Sequence, residues 1–223
     1  MEFAFKAVNT HDQTAIAVRG KDSVVVCTQK KIEDKLIVPE SVTNIFQITP
    51  TMGAVIVGNM NDARFISGWL QMKAAEFTNT NAYEPPVHVL GGIAGGYIHQ
   101  LSQQAVVRPI CVMITLVGCD EEKGPQIYKI DPSGQCFGYK CAATGTKEQE
   151  ATTYLEKAYK KNEGQWTAKE TVMTAIRTLQ TVISTDFKSN EIEIGFASVE
   201  NPRFRVLPNH EVDDILTQMA DQI

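Results

Sequence analysis

No stretch of this 223-residue sequence approaches the roughly 18 consecutive apolar residues that a membrane-spanning helix needs. Its opening, Met1-Glu2-Phe3, lacks the basic-then-apolar order of a secretory signal. No basic stripe interleaves with aromatic residues, and the formal net charge is -5, so neither nucleic acid nor a membrane is expected as a partner. Disulfide chemistry is poorly provided for as well. The cysteines Cys27, Cys111, Cys119, Cys136 and Cys141 are odd in number and form no Cys-x-x-Cys pair. They read as reduced thiols that behave as small apolar side chains, and the expected location is cytoplasm and nucleus. A hydrophobic share of 43% is enough to bury a sizeable core, so residues 1–223 are expected to form one domain.

Familiar catalytic and binding motifs are missing too. Of His11, His88, His99 and His210, only the middle two share an expected helix, three turns or roughly 16 Å apart at about 1.5 Å per residue. They cannot share one metal, and no metal or cofactor is expected. Asp120, Glu121 and Glu122 sit in a turn, where solvation explains them without acid–base work. Gly91, Gly92, Gly95 and Gly96 lie within an expected helix and lack the Lys-Ser/Thr that completes a phosphate loop. No serine-hydrolase elbow occurs.

What the sequence does contain is strands in pairs and helices in pairs. Residues 14–19 and 23–28 are rich in β-branched residues and flank Gly20-Lys21-Asp22, a hairpin pattern. Residues 45–49 and 53–58 repeat it around Pro50-Thr51-Met52. A helix capped by Asp62 follows, with Ile66, Trp69, Leu70, Lys73, Ala74 and Phe77 near one face; Pro85-Pro86 opens a second helix reaching about residue 104. Further strands are expected over 111–117, 125–130 and 135–141, with a type I turn at Asp131-Pro132-Ser133-Gly134. Thr146 with Gln149 and Thr167 with Glu170 are capping-box pairs that announce two more helices. Strands over 192–199 and 204–207, then a helix capped by Asn209, close the chain. Elements that come in pairs favour antiparallel sheets over a parallel α/β fold, so an α+β sandwich of two sheets with helices outside is expected.

Several ordered motifs together resemble proteasome alpha-type subunits. They are Arg19-Gly20-Lys21-Asp22, Thr28-Gln29-Lys30-Lys31 with Asp34-Lys35-Leu36, Arg108-Pro109, Gly124-Pro125-Gln126-Ile127-Tyr128 and Asp131-Pro132-Ser133-Gly134. Gly138-Tyr139-Lys140, Ala143, Gly145, Lys147 and Leu155-Glu156-Lys157 continue the pattern; Val199-Glu200-Asn201-Pro202-Arg203-Phe204-Arg205 is similar to the type-6 branch of that family.

The resemblance implies a four-layer αββα sandwich of the N-terminal-nucleophile hydrolase kind. In catalytic relatives a threonine at the first residue attacks and its α-amine acts as base. The resemblance aligns Gln13 with that nucleophile, and Gln29 and Asn44 with the supporting aspartate and lysine. Thr14 is adjacent, but its nitrogen lies in a peptide bond, so no catalytic residue is expected. The implied role is structural, within ubiquitin-dependent protein degradation. The implied partners are other alpha subunits in a heteroheptameric ring, a beta ring stacked on it, and activators or a regulatory particle. Relatives begin well upstream, so the N-terminal gate segment and much of a first helix are expected to be missing. The regulator-docking pocket aligns with Gly58 and Asn44; Asn44 stands where the family carries a lysine, and the ion pair to a partner's terminal carboxylate is expected to be lost. A stand-alone N-terminal-nucleophile hydrolase and a free-standing small-molecule binding domain are the alternatives.

Overall fold

The computed structural model describes residues 2–32 and 34–220. Met1 therefore lies outside the described residues. The elements run α1 (Glu2–Asn9), β1 (Thr14–Arg19), β2 (Ser23–Gln29), a short 3-10 turn (Pro39–Ser41), β3 (Ile45–Gln47), β4 (Met52–Gly58), α2 (Met60–Asn81) and α3 (Val87–Gln103). They continue with β5 (Val112–Asp120), β6 (Gly124–Ile130), β7 (Cys136–Gly138), β8 (Cys141–Gly145), α4 (Glu148–Asn162), α5 (Ala168–Ile183), β9 (Ile192–Ser198), β10 (Arg205–Val206) and α6 (Asn209–Ala220).

The strands form two five-stranded sheets, one ordered β10-β9-β2-β1-β8 and the other β3-β4-β5-β6-β7, and every pairing between neighbours is antiparallel. Period-two alternation sorts their side chains between cores rather than between core and water. Along β1, Ile16 and Val18 join Leu155, Val172, Ile176 and Leu179 beneath α4 and α5, whereas Ala15 and Ala17 face the opposite sheet. Along β4, Ile56 packs with Ile66, Leu70, Leu90 and Ile98 of α2 and α3, while Val55 and Val57 point between the sheets. Three cores therefore separate four layers, helices, sheet, sheet and helices. The central strands are covered on both faces, which is why β2 and β4 read as continuous apolar runs instead of alternating ones. The expected αββα architecture is the observed one.

Several local expectations change. Asp62 does not cap α2: Asn59 does, its Oδ1 accepting from the Asn61 and Asp62 amides, which frees Asp62 for other partners. The Thr146–Gln149 capping box does not form; α4 starts at Glu148 with no side-chain cap, because Thr146 turns its hydroxyl to the Asn9 carbonyl. The Thr167–Glu170 box is present in full. Asn209 is the first residue of α6 rather than its cap; the Pro208 carbonyl receives the amides of Glu211 and Val212. The expected strand over 135–141 is two strands in different sheets. The chain leaves one sheet after Gly138 and enters the other at Cys141, with Tyr139 and Lys140 as the crossing. In α3 only half of the glycines serve close packing: a Cβ on Gly95 would meet the Gly134 carbonyl at 2.6 Å, whereas Gly92 and Gly96 face open space.

Candidate functional site

One end of the sandwich gathers Gln13, Thr14, Gln29, Asn44 and Gly58, the positions to which the resemblance gives a site role. The β1–β2 register pairs Ala15 with Thr28, which brings the start of β1 beside the end of β2. Register of β2 with β9 pairs Thr28 with Glu193, and the Asn44 carbonyl accepts from the Ile56 amide at 3.0 Å. The start of β9, the entrance to β3 and the end of β4 thus share this mouth between the sheets.

Gln13 and Asn44 lie at the mouth, whereas Gln29 at the end of β2 shares the face of Val25 and Cys27 toward α5; all three are buried, at 8%, 6% and 5% exposure. None offers a proton-transfer group at neutral pH. Gln13 donates from Nε2 to Thr28 Oγ1 at 3.5 Å, and that hydroxyl donates to the Thr14 carbonyl at 3.1 Å. Gln29 donates from Nε2 to the Asp12 carbonyl at 2.6 Å, helping to hold Asp12 in a left-handed turn with φ of 42°. Lys31 adds a 2.7 Å bond to the same carbonyl and a 2.6 Å ion pair to the Asp12 carboxylate. The Thr14 hydroxyl accepts from the Lys147 amide at 3.4 Å, and the Gln13 carbonyl accepts from Thr146 at 3.1 Å. A network of amides and hydroxyls therefore joins the start of β1, the end of β2 and the approach to α4.

A helix stoppers this mouth. Residues 2–9 form α1, which packs against β4 and β5 and sends Val8, 1% exposed, into the inter-sheet core beside Val57 and Met113. A buried valine at this spot excludes water from the region between the sheets.

Asn44 and Gly58 fall on the same edge of the mouth, because β3 pairs Ile45 with Val55 and Gly58 lies three residues further along β4. Gly58 adopts φ of 131°, a conformation closed to side-chain-bearing residues, and a Cβ there would run into the Cys111 carbonyl. The turn after it is braced from α2. Arg108 grips the Asp62 carboxylate with two bonds of 2.5 and 2.7 Å, the Cys111 amide donates to Asp62 at 3.0 Å, and the Asn59 amide donates to the Cys111 carbonyl at 3.1 Å. The Arg108 guanidinium holds the Asp62 carboxyl below the usual aspartate range, against the opposing effect of its burial. One wall of this edge is thus rigid backbone.

Lys30, to which the resemblance gives no role although it lies in the motif over 28–31, pairs at the mouth with Glu193. Glu193 is 7% exposed, and its Oε2 accepts from the Asn44 amide at 3.0 Å and the Thr43 hydroxyl at 3.3 Å. Its Oε1 lies 3.4 Å from Lys30 Nζ. Period-two counting from Val24 and Val26 turns Lys30 inward, and Glu193 is the one acid among the apolar residues of β9; both signals are readable in hindsight.

Fold and mouth define a sandwich of the N-terminal-nucleophile hydrolase architecture, with the buried amide side chain of Gln13 just before β1. The chain belongs to the proteasome subunit family, whose model matches residues 10–197. It is 39% identical over 222 residues to the probable proteasome subunit alpha type-1 of Schizosaccharomyces pombe, covering 100% of this chain and 91% of that protein. It is 34% identical over 222 residues to proteasome subunit alpha type-6 of Caenorhabditis elegans, covering 100% and 90%. Proteasome subunit alpha type-2-A of Arabidopsis thaliana is 32% identical over 219 residues, 98% of this chain and 91% of that one.

Proposed function

We propose that this chain is a structural, non-catalytic alpha-ring subunit of the 20S proteasome core, a single unit over 1–223 that supports ring assembly, substrate admission and regulator docking in ubiquitin-dependent protein degradation. The observation that carries the reading is the mouth itself. Gln13 is buried where a nucleophile with a free α-amine would have to stand, and the supporting positions are Gln29 and Asn44. Without a base or a free amine, peptide hydrolysis by this chain has no first step. Full-length similarity to proteins named as alpha subunits supports the same role, with other alpha subunits and a beta ring as neighbours and cytoplasm and nucleus as location. The stretch over 199–205 favours the type-6 branch.

The test is native mass spectrometry of particles isolated through a tag after Ile223, which lies outside the described residues. One tagged chain per alpha ring in a complex that also holds beta subunits is the expected result; a chain that runs alone refutes the assembly role. Steady peptide turnover by the rigorously purified chain, lost on Thr14→Ala, would overturn the non-catalytic part. For docking, Gly58 and Asn44 form this subunit's side of an activator pocket. Asn44→Lys should strengthen activator binding by restoring an ion pair, and unchanged affinity in reconstituted particles counts against that assignment.

A further inference from the structure

We propose that a notch between α5 and α6, over the β9–β10 edge of its sheet, docks a segment of a partner protein that presents one bulky apolar side chain beside an acidic residue. The site goes beyond the ring role. It lies toward the end of β9 remote from the mouth, where Ser198 pairs with Ser23, and it shares no residue with the mouth.

The notch is an unfinished part of the outer core. Val172 and Leu207 close its floor at 5% and 7% exposure, whereas Met173, Phe196 and Ile215 pack against that core on one side and are only partly buried where they line the cavity. Its volume is about 270 Å³. That falls just short of the roughly 300–1,000 Å³ of small-molecule pockets, and it suits one large side chain acting as an anchor better than a whole ligand.

The rim decides what accompanies the anchor. Arg205 and Glu211 join β10 to α6 through an ion pair of 2.7 Å, so each charge already has its counterpart. Lys169, at the α5 side of the rim, has no ion-pair or hydrogen-bond partner among the described residues. The rim therefore carries one uncompensated positive charge. A carboxylate seated beside Lys169 gains a cation without displacing any existing contact, while a basic residue there meets repulsion that Glu211, held by Arg205, does not offset.

The test is a methyl NMR titration of the purified full chain with N-acetyl dipeptide amides, read at Met173 and Ile215. Acetyl-Leu-Asp-amide is expected to shift both signals along one binding curve, and acetyl-Ala-Asp-amide to leave them in place. Acetyl-Leu-Asn-amide should bind about threefold to fivefold more weakly, the contribution of a solvent-exposed ion pair, and acetyl-Leu-Lys-amide more weakly still. Lys169→Glu should reverse the order of the aspartate and lysine peptides. Ala168→Phe, which puts a ring into the notch, should abolish binding of every peptide. Absence of shifts with acetyl-Leu-Asp-amide overturns the proposal, as do equal binding of the aspartate and asparagine peptides and a Lys169→Glu chain that still prefers aspartate. Octanoate that shifts both methyls at lower concentration than the peptide overturns it in favour of a free amphiphile, and shifts on dilution of the chain alone overturn it in favour of a second copy. Should Ala168→Phe fail to fold, the peptide series and Lys169→Glu decide.

Discussion

At the scale of single residues, one aromatic ring and one carboxylate carry the clearest consequences. Phe204, 1% exposed, leaves the connection between β9 and β10 and lodges between the sheets, where Cβ atoms on Gly53 and Gly195 would overlap its ring. The ring fits because both strands are bare at that point. Its backbone is tied across the sheets as well, by the amide to the Pro50 carbonyl at 2.8 Å. Phe204→Ala should destabilise the chain by about 3–5 kcal/mol, and Gly53→Ala should destabilise through overlap even though it adds one methyl; denaturant unfolding of the purified chain checks both. The carboxylate is Asp62. Because Arg108 lowers its folded pKa beneath the unfolded value near 3.9, its contribution is present above about pH 4 and is lost as pH falls through the folded pKa. Arg108 is 65% exposed, so solvent screening limits the pair to about 1 kcal/mol. Asp62→Asn should lower stability by that amount at pH 7 and by much less at pH 3, a convergence read from two denaturation curves; parallel curves would refute it.

At the scale of elements, helix ends show what a local pattern can and cannot decide. Thr167 and Glu170 satisfy each other's backbone at 2.9–3.4 Å, an interaction complete within four residues, and Thr167→Ala should cost about 1 kcal/mol in unfolding free energy. Thr146 and Gln149 present the same spacing and form nothing, because a third element, α1, offers Thr146 a carbonyl from a residue 137 positions away. The same distinction runs through the molecule. Hairpins such as β1–β2 and the paired outer helices follow from periodicity, since neighbours in sequence are neighbours in space. The jump at Tyr139–Lys140 does not, because which sheet receives Cys141–Gly145 depends on β1 pairing Thr14 with Gly145. The resemblance gives a role to Gln13, Gln29, Asn44 and Gly58 but none to Lys30, which it shows only within a motif, or to Glu193, because these two meet across a separation of 163 residues, the difference between positions 193 and 30.

At the scale of the whole molecule, the distribution of uncovered apolar surface separates folding from assembly. Inside, the three cores are closed: Ile16, Ile56 and Val117, one from each, are at 0% exposure. Outside, Phe3, Leu36, Val38 and Val106 are 85%, 90%, 61% and 99% exposed, and all four lie on segments at the mouth end, in α1, in the connection from β2 to β3 and in the connection from α3 to β5. Such residues contribute almost nothing to the stability of the isolated chain, since burying them is what would stabilise. A concentration of them at one end is what an assembly surface looks like before its neighbour arrives. Leu36→Ser and Val106→Ser should therefore leave the unfolding midpoint of the isolated chain within about 0.5 kcal/mol of wild type. In cells each should lower the fraction of tagged chain found in the large particle, and the double substitution should lower it further. Native gels of tagged lysates, read beside denaturant curves of the purified chains, measure the two effects separately. Normal incorporation of the double variant would place the subunit contacts elsewhere, and a matching loss of stability would mean that these side chains serve the fold after all.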